Sequence, residues 1–129
     1  SRIFAARLRQ LGSRDRFGPG TIWESPLLET ALPRNHYDLI FARWVLSFVP
    51  DVAGMVKQLA RALKPGGILA VEDYNHEGIS LFPESEGMKA VILATRRLYA
   101  SRGGDAFVAT RLPRHFREAD YELASFPLA

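Results

Sequence analysis

The order of apolar segments along the chain predicts an α/β fold built on a parallel sheet. Residues 37–42 and 68–71 are almost continuously apolar, which is typical of strands buried on both faces of a parallel sheet. An amphipathic segment at residues 52–63 separates them, and a strand–helix–strand sequence favours parallel pairing. Over the whole chain the predicted order is helix, strand, strand, helix, strand, helix, helix, strand.

The first part of the chain is predicted to form a helix and a short strand. Phe4, Leu8 and Leu11 share one face of a helix over residues 1–12, and Gly12 stands where a helix commonly ends. After a Gly/Pro break, the β-branched and aromatic run Thr21–Trp23 predicts a strand.

The clearest helix lies between the two buried strands. Asp51 is the predicted N-cap, and Pro65-Gly66-Gly67 is predicted to end the helix. Its apolar positions recur at helical spacing on one face. They are Val52, Met55, Val56, Leu59, Ala60 and Leu63.

Two helices and a strand are predicted for the C-terminal half. The first helix ends at Gly103-Gly104, the second covers Leu112–Ala119, and a last strand covers Tyr121–Phe126. The apolar face of the first helix consists of Met88, Val91, Ile92, Thr95, Leu98 and Tyr99.

Length and composition exclude several classes of protein. The 129 residues, 47% of them hydrophobic, fit a single domain over residues 1–129 with a packed core. The absence of cysteine excludes disulfide frameworks and thiolate sites. No membrane-spanning run or signal-peptide pattern is present, so a cytoplasmic protein is expected. The three histidines are far apart in sequence, so no metal site is expected.

Basic residues form two clusters, at residues 2–16 and 96–117, and arginine supplies 14 of the 17. Such stripes can bind phosphate groups, or they can be the solvated faces of helices. We favour solvated faces, because no nucleic-acid motif accompanies the clusters, and nucleic acid is not an expected partner.

Polar residues follow the two buried strands. Right-handed crossovers place Ala42 and the cluster Glu72–His76 at the same carboxyl edge of neighbouring strands. Because open α/β sheets bind ligands at that edge, the cluster is a candidate site.

Three segments resemble class I S-adenosylmethionine-dependent methyltransferases. Residues 37–51, YDLIFARWVLSFVPD, are similar to the family's strand that runs into a "vLshlpD" helix start, and residues 59–69 contain its "LkPGG" turn. Residues 111–123 resemble its "leeaGFe" segment, with Asp120 where glycine is usual, so we expect a turn that is tighter or differently held. The resemblance covers most of the chain.

This resemblance implies a cofactor site. Glu24 would accept a hydrogen bond from the adenine amino group and the Ser25 N–H would face the ring; Ala42 and Arg43 would line the methionine part. Trp44 would lie near the sulfonium. Two alternatives stay open: Glu24 as an ordinary loop acid, and Trp44 as a core residue.

The resemblance also implies where the substrate binds. Residues 78–104 would cover the pocket and select the substrate. Methyl transfer depends mainly on alignment, so no catalytic residue is assigned. The alternative for each substrate-side candidate is that it caps or solvates the loop. These candidates are Asp73, Tyr74, Asn75 and His76.

The Gly-rich loop and the acid that hold the cofactor in this family have no counterpart here. We therefore expect a partial Rossmann-like methyltransferase sheet with flanking helices, lacking the first two strands and the last, as the C-terminal portion of a longer or assembled enzyme. Cofactor binding by this chain alone is then in doubt. An uncovered strand edge predicts either self-association into a homo-oligomer or a rearrangement of the strands.

Three functions follow from the sequence. The leading hypothesis is S-adenosylmethionine-dependent methyl transfer to a small molecule. A truncated, non-catalytic binding or oligomerisation module is the alternative, and an arginine-rich nucleic-acid binder is a third hypothesis.

Overall fold

The computed structural model describes residues 29–122, and its helices and strands all lie in one compact unit that begins at Pro33. The helix predicted over residues 1–12, the strand Thr21–Trp23 and residues 123–126 of the last predicted strand lie outside the described residues. The regular elements are β1 (Tyr37–Arg43), α1 (Val52–Ala62), β2 (Leu63–Glu72), α2 (Glu86–Ser101) and α3 (Val108–Glu118), with single 3₁₀ turns at Leu46–Phe48 and His76–Gly78.

The two strands form a parallel pair, which confirms the predicted α/β fold class. Ile40 pairs with Leu69, and Arg43 pairs with Glu72, so both strands end level at their carboxyl edge. The register breaks near the start of the pair, where residues 64–67 lie opposite Asp38 alone. Gly66 adopts a φ of 79° within this bulge, a conformation that glycine takes without steric cost.

Helix α1 begins as predicted but ends earlier. The Asp51 side chain accepts a hydrogen bond from the Gly54 N–H at 2.9 Å, which confirms the N-cap. The prediction that Pro65-Gly66-Gly67 ends the helix was wrong in position, because Leu63 is already extended and those residues belong to β2. The residue before a proline disfavours the helical conformation, so Lys64 is driven into an extended one.

The core lies between α1, β2, α3 and the turn after β1. Met55 and Val56 of α1 are fully buried, and so are Leu46 of the turn and Val108 of α3. A core of this kind stabilises α1 through its amphipathic face rather than through helix propensity.

One face of the sheet is exposed, so the expectation of burial on both faces was wrong for the described residues. Ile40 is half-buried and Ala42 buried, whereas Leu39 and Phe41 on the opposite face are 59% and 58% exposed. Helix α1 covers one side of β2. The alternation follows from the two-residue period of a strand, with one face covered and the other open.

Helix α2 has its N-cap at Ser85 and its C-cap at Arg102, close to the predicted stop at Gly103-Gly104. Its predicted apolar face is present in the sequence, but no residue of α2 is buried. Within the part of the chain that the structure describes, this helix contributes no buried side chain to the core.

Helix α3 begins four residues before the predicted Leu112, at Val108. After it, Asp120 adopts a φ of 62°, and the Tyr121 N–H donates to the Phe116 carbonyl at 2.9 Å. Asp120 thus takes the left-handed conformation that glycine usually supplies after a helix. Tyr121 and Glu122, the described part of the strand predicted for Tyr121–Phe126, belong to no strand.

Candidate functional site

The carboxyl edge of the sheet brings together the residues that follow β1 and β2. Arg43 and Glu72 are register partners, and the Arg43 Nε lies 3.2 Å from Glu72 Oε1. The Trp44 N–H donates to the Glu72 carbonyl at 2.8 Å. Ala42 is buried just behind them. The predicted meeting of the residues after both strands is confirmed, whereas Glu24 and Ser25 lie outside the described residues.

Trp44 has a backbone conformation that its side chain does not favour. Its φ is 56°, which is uncommon for a bulky residue and costs about 1–3 kcal/mol. The indole stacks on the Tyr74 ring, with the centroids 5.8 Å apart and the planes 14° apart. The Arg43 guanidinium carbon lies 4.1 Å from the indole centroid. A cation from the chain itself therefore already contacts this aromatic ring.

Asp73 binds the backbone of the turn after β1. Its Oδ2 accepts hydrogen bonds from the N–H groups of Val45, Leu46 and Ser47 at 3.1, 2.7 and 3.3 Å. Its Oδ1 accepts the Tyr74 N–H at 2.8 Å. Successive N–H groups that converge on one carboxylate form an anion-binding nest, and here the anion is a side chain of the same chain.

This arrangement explains how the strained Trp44 is held. The Trp44 N–H is fixed by β2, and the three N–H groups that follow it are fixed by Asp73. Asp73 was predicted as a substrate-side residue; in the structure both of its oxygens bind backbone groups of the turn. In this geometry the Asp73 carboxylate positions the Trp44 indole.

A row of aromatic rings extends from Trp44 across the edge. Beyond Tyr74, the His76 ring lies 5.7 Å from the Tyr74 centroid and 5.4 Å from that of Tyr99. Tyr99 in turn stacks on Phe48 at 5.0 Å. Burial, followed by the neighbouring Tyr74, raises the pKa of the Tyr99 hydroxyl. We call these five residues, Trp44, Tyr74, His76, Tyr99 and Phe48, the aromatic row.

His76 lies in the middle of the aromatic row and is 5% exposed. The backbone N–H of His76 donates to the Ala106 carbonyl at 3.1 Å, and its backbone carbonyl accepts from Arg96 Nη2 at 2.5 Å. Its ring Nδ1 is buried without a hydrogen-bond partner. Burial, and secondarily the Arg96 charge, lower the pKa of His76. A neutral imidazole is therefore favoured at this position.

Asn75 has a local structural contact. Its Oδ1 accepts the Glu77 N–H at 3.0 Å and caps the 3₁₀ turn that begins at His76. The side chain is exposed. Of the four substrate-side candidates, Tyr74 and His76 therefore carry rings in the aromatic row, and Asp73 and Asn75 hold backbone groups.

Phe48, Tyr99 and Arg96 were not predicted individually as site residues, although Tyr99 and Arg96 lie in the segment 78–104 that was expected to cover the pocket. Tyr99 and Arg96 lie on α2, and Phe48 lies on the turn after β1. The helical spacing predicted Tyr99 as part of the apolar face of a helix. Its contact with His76 spans a separation in sequence that no local spacing signal reports. Among residues 29–122, no three His, Asp or Glu side chains come close enough to hold a metal ion.

No helix within residues 29–122 has the length and apolar character needed to cross a membrane.

Comparison with known proteins identifies relatives of the chain. A profile of the family described as "Methyltransferase domain" matches residues 2–71. A trans-aconitate 2-methyltransferase of Azoarcus sp. (strain BH72) is 32% identical over 105 residues, which are 79% of this chain and 42% of the relative. A protein of the same name from Methylobacterium radiotolerans is 37% identical over 92 residues, 71% of this chain and 34% of the relative.

A third relative of that name, from Methylobacterium nodulans, is 41% identical over 54 residues, 42% of this chain and 21% of the relative. The chain thus spans less than half the length of these relatives. The family match covers more than half of the chain and includes β1, α1 and β2 as far as Val71. The chain therefore belongs to the class I S-adenosylmethionine-dependent methyltransferase family.

Proposed function

We propose that this protein takes part in S-adenosylmethionine-dependent methylation of a small carboxylic acid, as part of a longer or assembled enzyme. Family membership supports methyl transfer, and the names of the relatives support an acid as substrate. The observation that carries the proposal is the carboxyl edge, where the parallel pair brings Arg43, Trp44 and Tyr74 into contact. Ligands of open α/β sheets bind at this edge.

The residues at the edge fit part of the cofactor. Ala42 has a small side chain at the end of β1, and Arg43, which pairs with Glu72 and lies over the Trp44 indole, would bind the carboxylate of a methionine group in place of Glu72. Trp44 and Tyr74 present an aromatic surface of the kind that attracts a sulfonium. When bound, the cofactor supplies an activated methyl group. Glu24 and Ser25 remain proposed contacts to its adenine.

An acid substrate reduces what the chain must do chemically. A carboxylate is already anionic at neutral pH, so no general base is needed to activate it. The role of the chain is to orient the acceptor and exclude water. We propose Tyr74, Asn75 and His76 as substrate-side residues, and Asp73 as the residue that positions Trp44 between the two binding regions.

Calorimetry tests cofactor binding directly. Titration of the chain with S-adenosylhomocysteine is expected to give saturable heat below millimolar ligand. Trp44→Leu (W44L) should weaken binding by about tenfold, the size of an aromatic contact to a cation or ring. The matched control is Phe82→Leu (F82L), since Phe82 is 96% exposed and distant in sequence from the edge. It should bind like the wild type.

Activity is tested by mass spectrometry of trans-aconitate incubated with S-adenosylmethionine and the chain. The expected product is a monomethyl ester. Absence of binding heat at millimolar S-adenosylhomocysteine, from a folded chain, would contradict cofactor binding by this chain alone.

A non-catalytic oligomerisation module is the second candidate function. The observation that favours it is the apolar sheet face, where Leu39, Phe41 and Ile68 are exposed. We propose a second copy of the chain as the partner.

Nucleic-acid binding has weaker support, because acids already pair with Arg43, Arg111 and Arg114. A cytoplasmic location remains part of the proposal.

A further inference from the structure

A cavity lies at the far end of the aromatic row. Its volume is about 250 Å³. It is lined by Phe48, Leu98, Tyr99, Arg102 and Gly104. Tyr99 links it to the rest of the site, because its ring centroid lies 5.4 Å from that of His76 and 5.0 Å from that of Phe48.

Close backbone contacts build the cavity. The Gly104 N–H donates to the Tyr99 carbonyl at 2.9 Å, and the Asp105 N–H donates to the Ser47 carbonyl at 2.9 Å. A Cβ at Gly104 would lie 2.5 Å from the Ser47 carbonyl oxygen, so only glycine allows this approach. Gly103 turns the chain there with a φ of 74°. The end of α2 is thereby joined to the turn after β1.

The walls of the cavity are apolar apart from one cation. Phe48 and Leu98 are apolar side chains that remain about half exposed. The Arg102 guanidinium has no ion-pair or hydrogen-bond partner in the part of the chain that the structure describes, whereas Arg111 pairs with Asp105 and Arg114 with Glu118. The nearby carbonyls of Leu98, Tyr99 and Ala100 are already bonded, so they do not need this guanidinium.

We propose that this cavity binds an organic acid that has one carboxylate and a compact apolar body. The carboxylate pairs with Arg102, and the apolar body contacts Phe48, Leu98 and Tyr99. A guanidinium binds one carboxylate with two parallel hydrogen bonds, which suits a single acidic group.

A tricarboxylate fits less well. It would bring two further charges against apolar walls without partners, which costs binding free energy. The proposal concerns the binding of a monocarboxylate only, and it does not place the methyl acceptor in this cavity.

Nuclear magnetic resonance tests the cavity in the full chain without cofactor. The probes are phenylacetate, its neutral analogue 2-phenylethanol, and propane-1,2,3-tricarboxylate. Phenylacetate is expected to shift the Gly104 amide and the Arg102 side-chain resonances in a saturable way, with an affinity on the order of millimolar. The other two probes should bind at least about tenfold more weakly.

Two variants and a control assign the contacts. Arg102→Gln (R102Q) removes the cation and should weaken phenylacetate binding by about tenfold. Leu98→Trp (L98W) fills the cavity from an exposed position and should have a similar effect. Arg97→Gln (R97Q) alters an exposed arginine one residue from Leu98 that does not line the cavity, and it should bind normally.

Any of four results would overturn the proposal. They are no saturable shift in folded wild-type chain, equal binding by R102Q, equal losses in R97Q and R102Q, or tighter binding of the tricarboxylate or the alcohol. R102Q changes an exposed side chain, so its result stands even where L98W fails to fold. Because no cofactor is present, these results test the cavity alone and leave the proposed methyl transfer to its own assay.

Discussion

At the scale of single residues, the Asp73 carboxylate joins two segments that lie 26 to 28 positions apart in the chain. It satisfies three backbone donors of the turn after β1, and these donors would otherwise be partly buried without acceptors. The strain at Trp44 persists because this contact and the β2 carbonyl fix the backbone on either side. Asp73 is therefore a positioning residue for the aromatic row.

Asp73→Asn (D73N) is expected to lower the free energy of unfolding by about 2 kcal/mol, because the amide loses the charge that strengthens the bonds to the nest. Urea unfolding measures this change. The control is Asp38→Asn (D38N), which removes a surface ion pair with Lys64 and should leave the unfolding midpoint nearly unchanged. Equal effects of D73N and D38N would contradict the positioning role.

His76 makes stability depend on pH in a definite direction. Its ordinary pKa is 6.5, and burial lowers the pKa in the folded state. The unfolded chain therefore binds a proton at a higher pH than the folded chain does. As the pH falls from above 6.5 toward the lower folded pKa, the free energy of unfolding decreases. The charged and titratable neighbours of the ring are Arg96, Tyr74 and Tyr99.

His76→Phe (H76F) should flatten this dependence, because it keeps an aromatic ring in the row and removes the titrating group. Urea midpoints at pH 7.5 and 5.5 give the comparison. His36→Gln (H36Q), at an exposed histidine, should keep the wild-type difference. A pH dependence in H76F as large as that of the wild type would exclude His76 as its source.

At the scale of elements, α2 differs from α1 in what stabilises it. Helix α1 buries Met55, Val56 and Leu59, whereas α2 buries no residue among those described. Helix α2 is held instead by its N-cap Ser85, by the Arg96 bond to the His76 carbonyl and by the close approach of Gly104 to Ser47. An element with few buried apolar contacts is expected to open at lower free energy than the core. The proposed cavity lies at the end of this helix.

At the scale of the whole molecule, the exposed apolar sheet face is the largest departure from a complete α/β sheet. Leu39, Phe41 and Ile68 lie in the two strands of the described pair. Large exposed apolar patches mark interaction sites, and an open strand edge offers unpaired backbone groups. A second copy of the chain is the partner that the proposed oligomer requires.

Sedimentation velocity is expected to show a species of at least twice the mass of the chain, whose share rises with concentration. The double variant Leu39→Lys and Phe41→Lys should shift it to monomer, because charges on this face repel and must be hydrated. Phe82→Ser (F82S), at an exposed aromatic residue in a loop, is the control. A monomer throughout the concentration range would contradict self-association.

The sequence by itself determined the local features of this protein. Apolar spacing predicted the strand–helix–strand order. The Asp51 cap and the stop near Gly103 depend on the conformation and hydrogen bonds of a few neighbouring residues, and the family is recognised by short sequence motifs. The sequence also placed the candidate site at the carboxyl edge, since parallel strands bring their ends together.

Only the tertiary structure decided the contacts between distant segments. The binding of the Val45–Ser47 turn by Asp73, the meeting of Tyr99 with His76 and the exposed face at Phe41 each depend on how whole elements pack. The end of α1 at Ala62 also differed from prediction, because the paired extended conformation of Leu63 begins before Pro65. The spacing of side chains along one segment does not show which residue of a distant segment each of them will contact. The packing of the elements determines these contacts, and they form the aromatic row and the cavity.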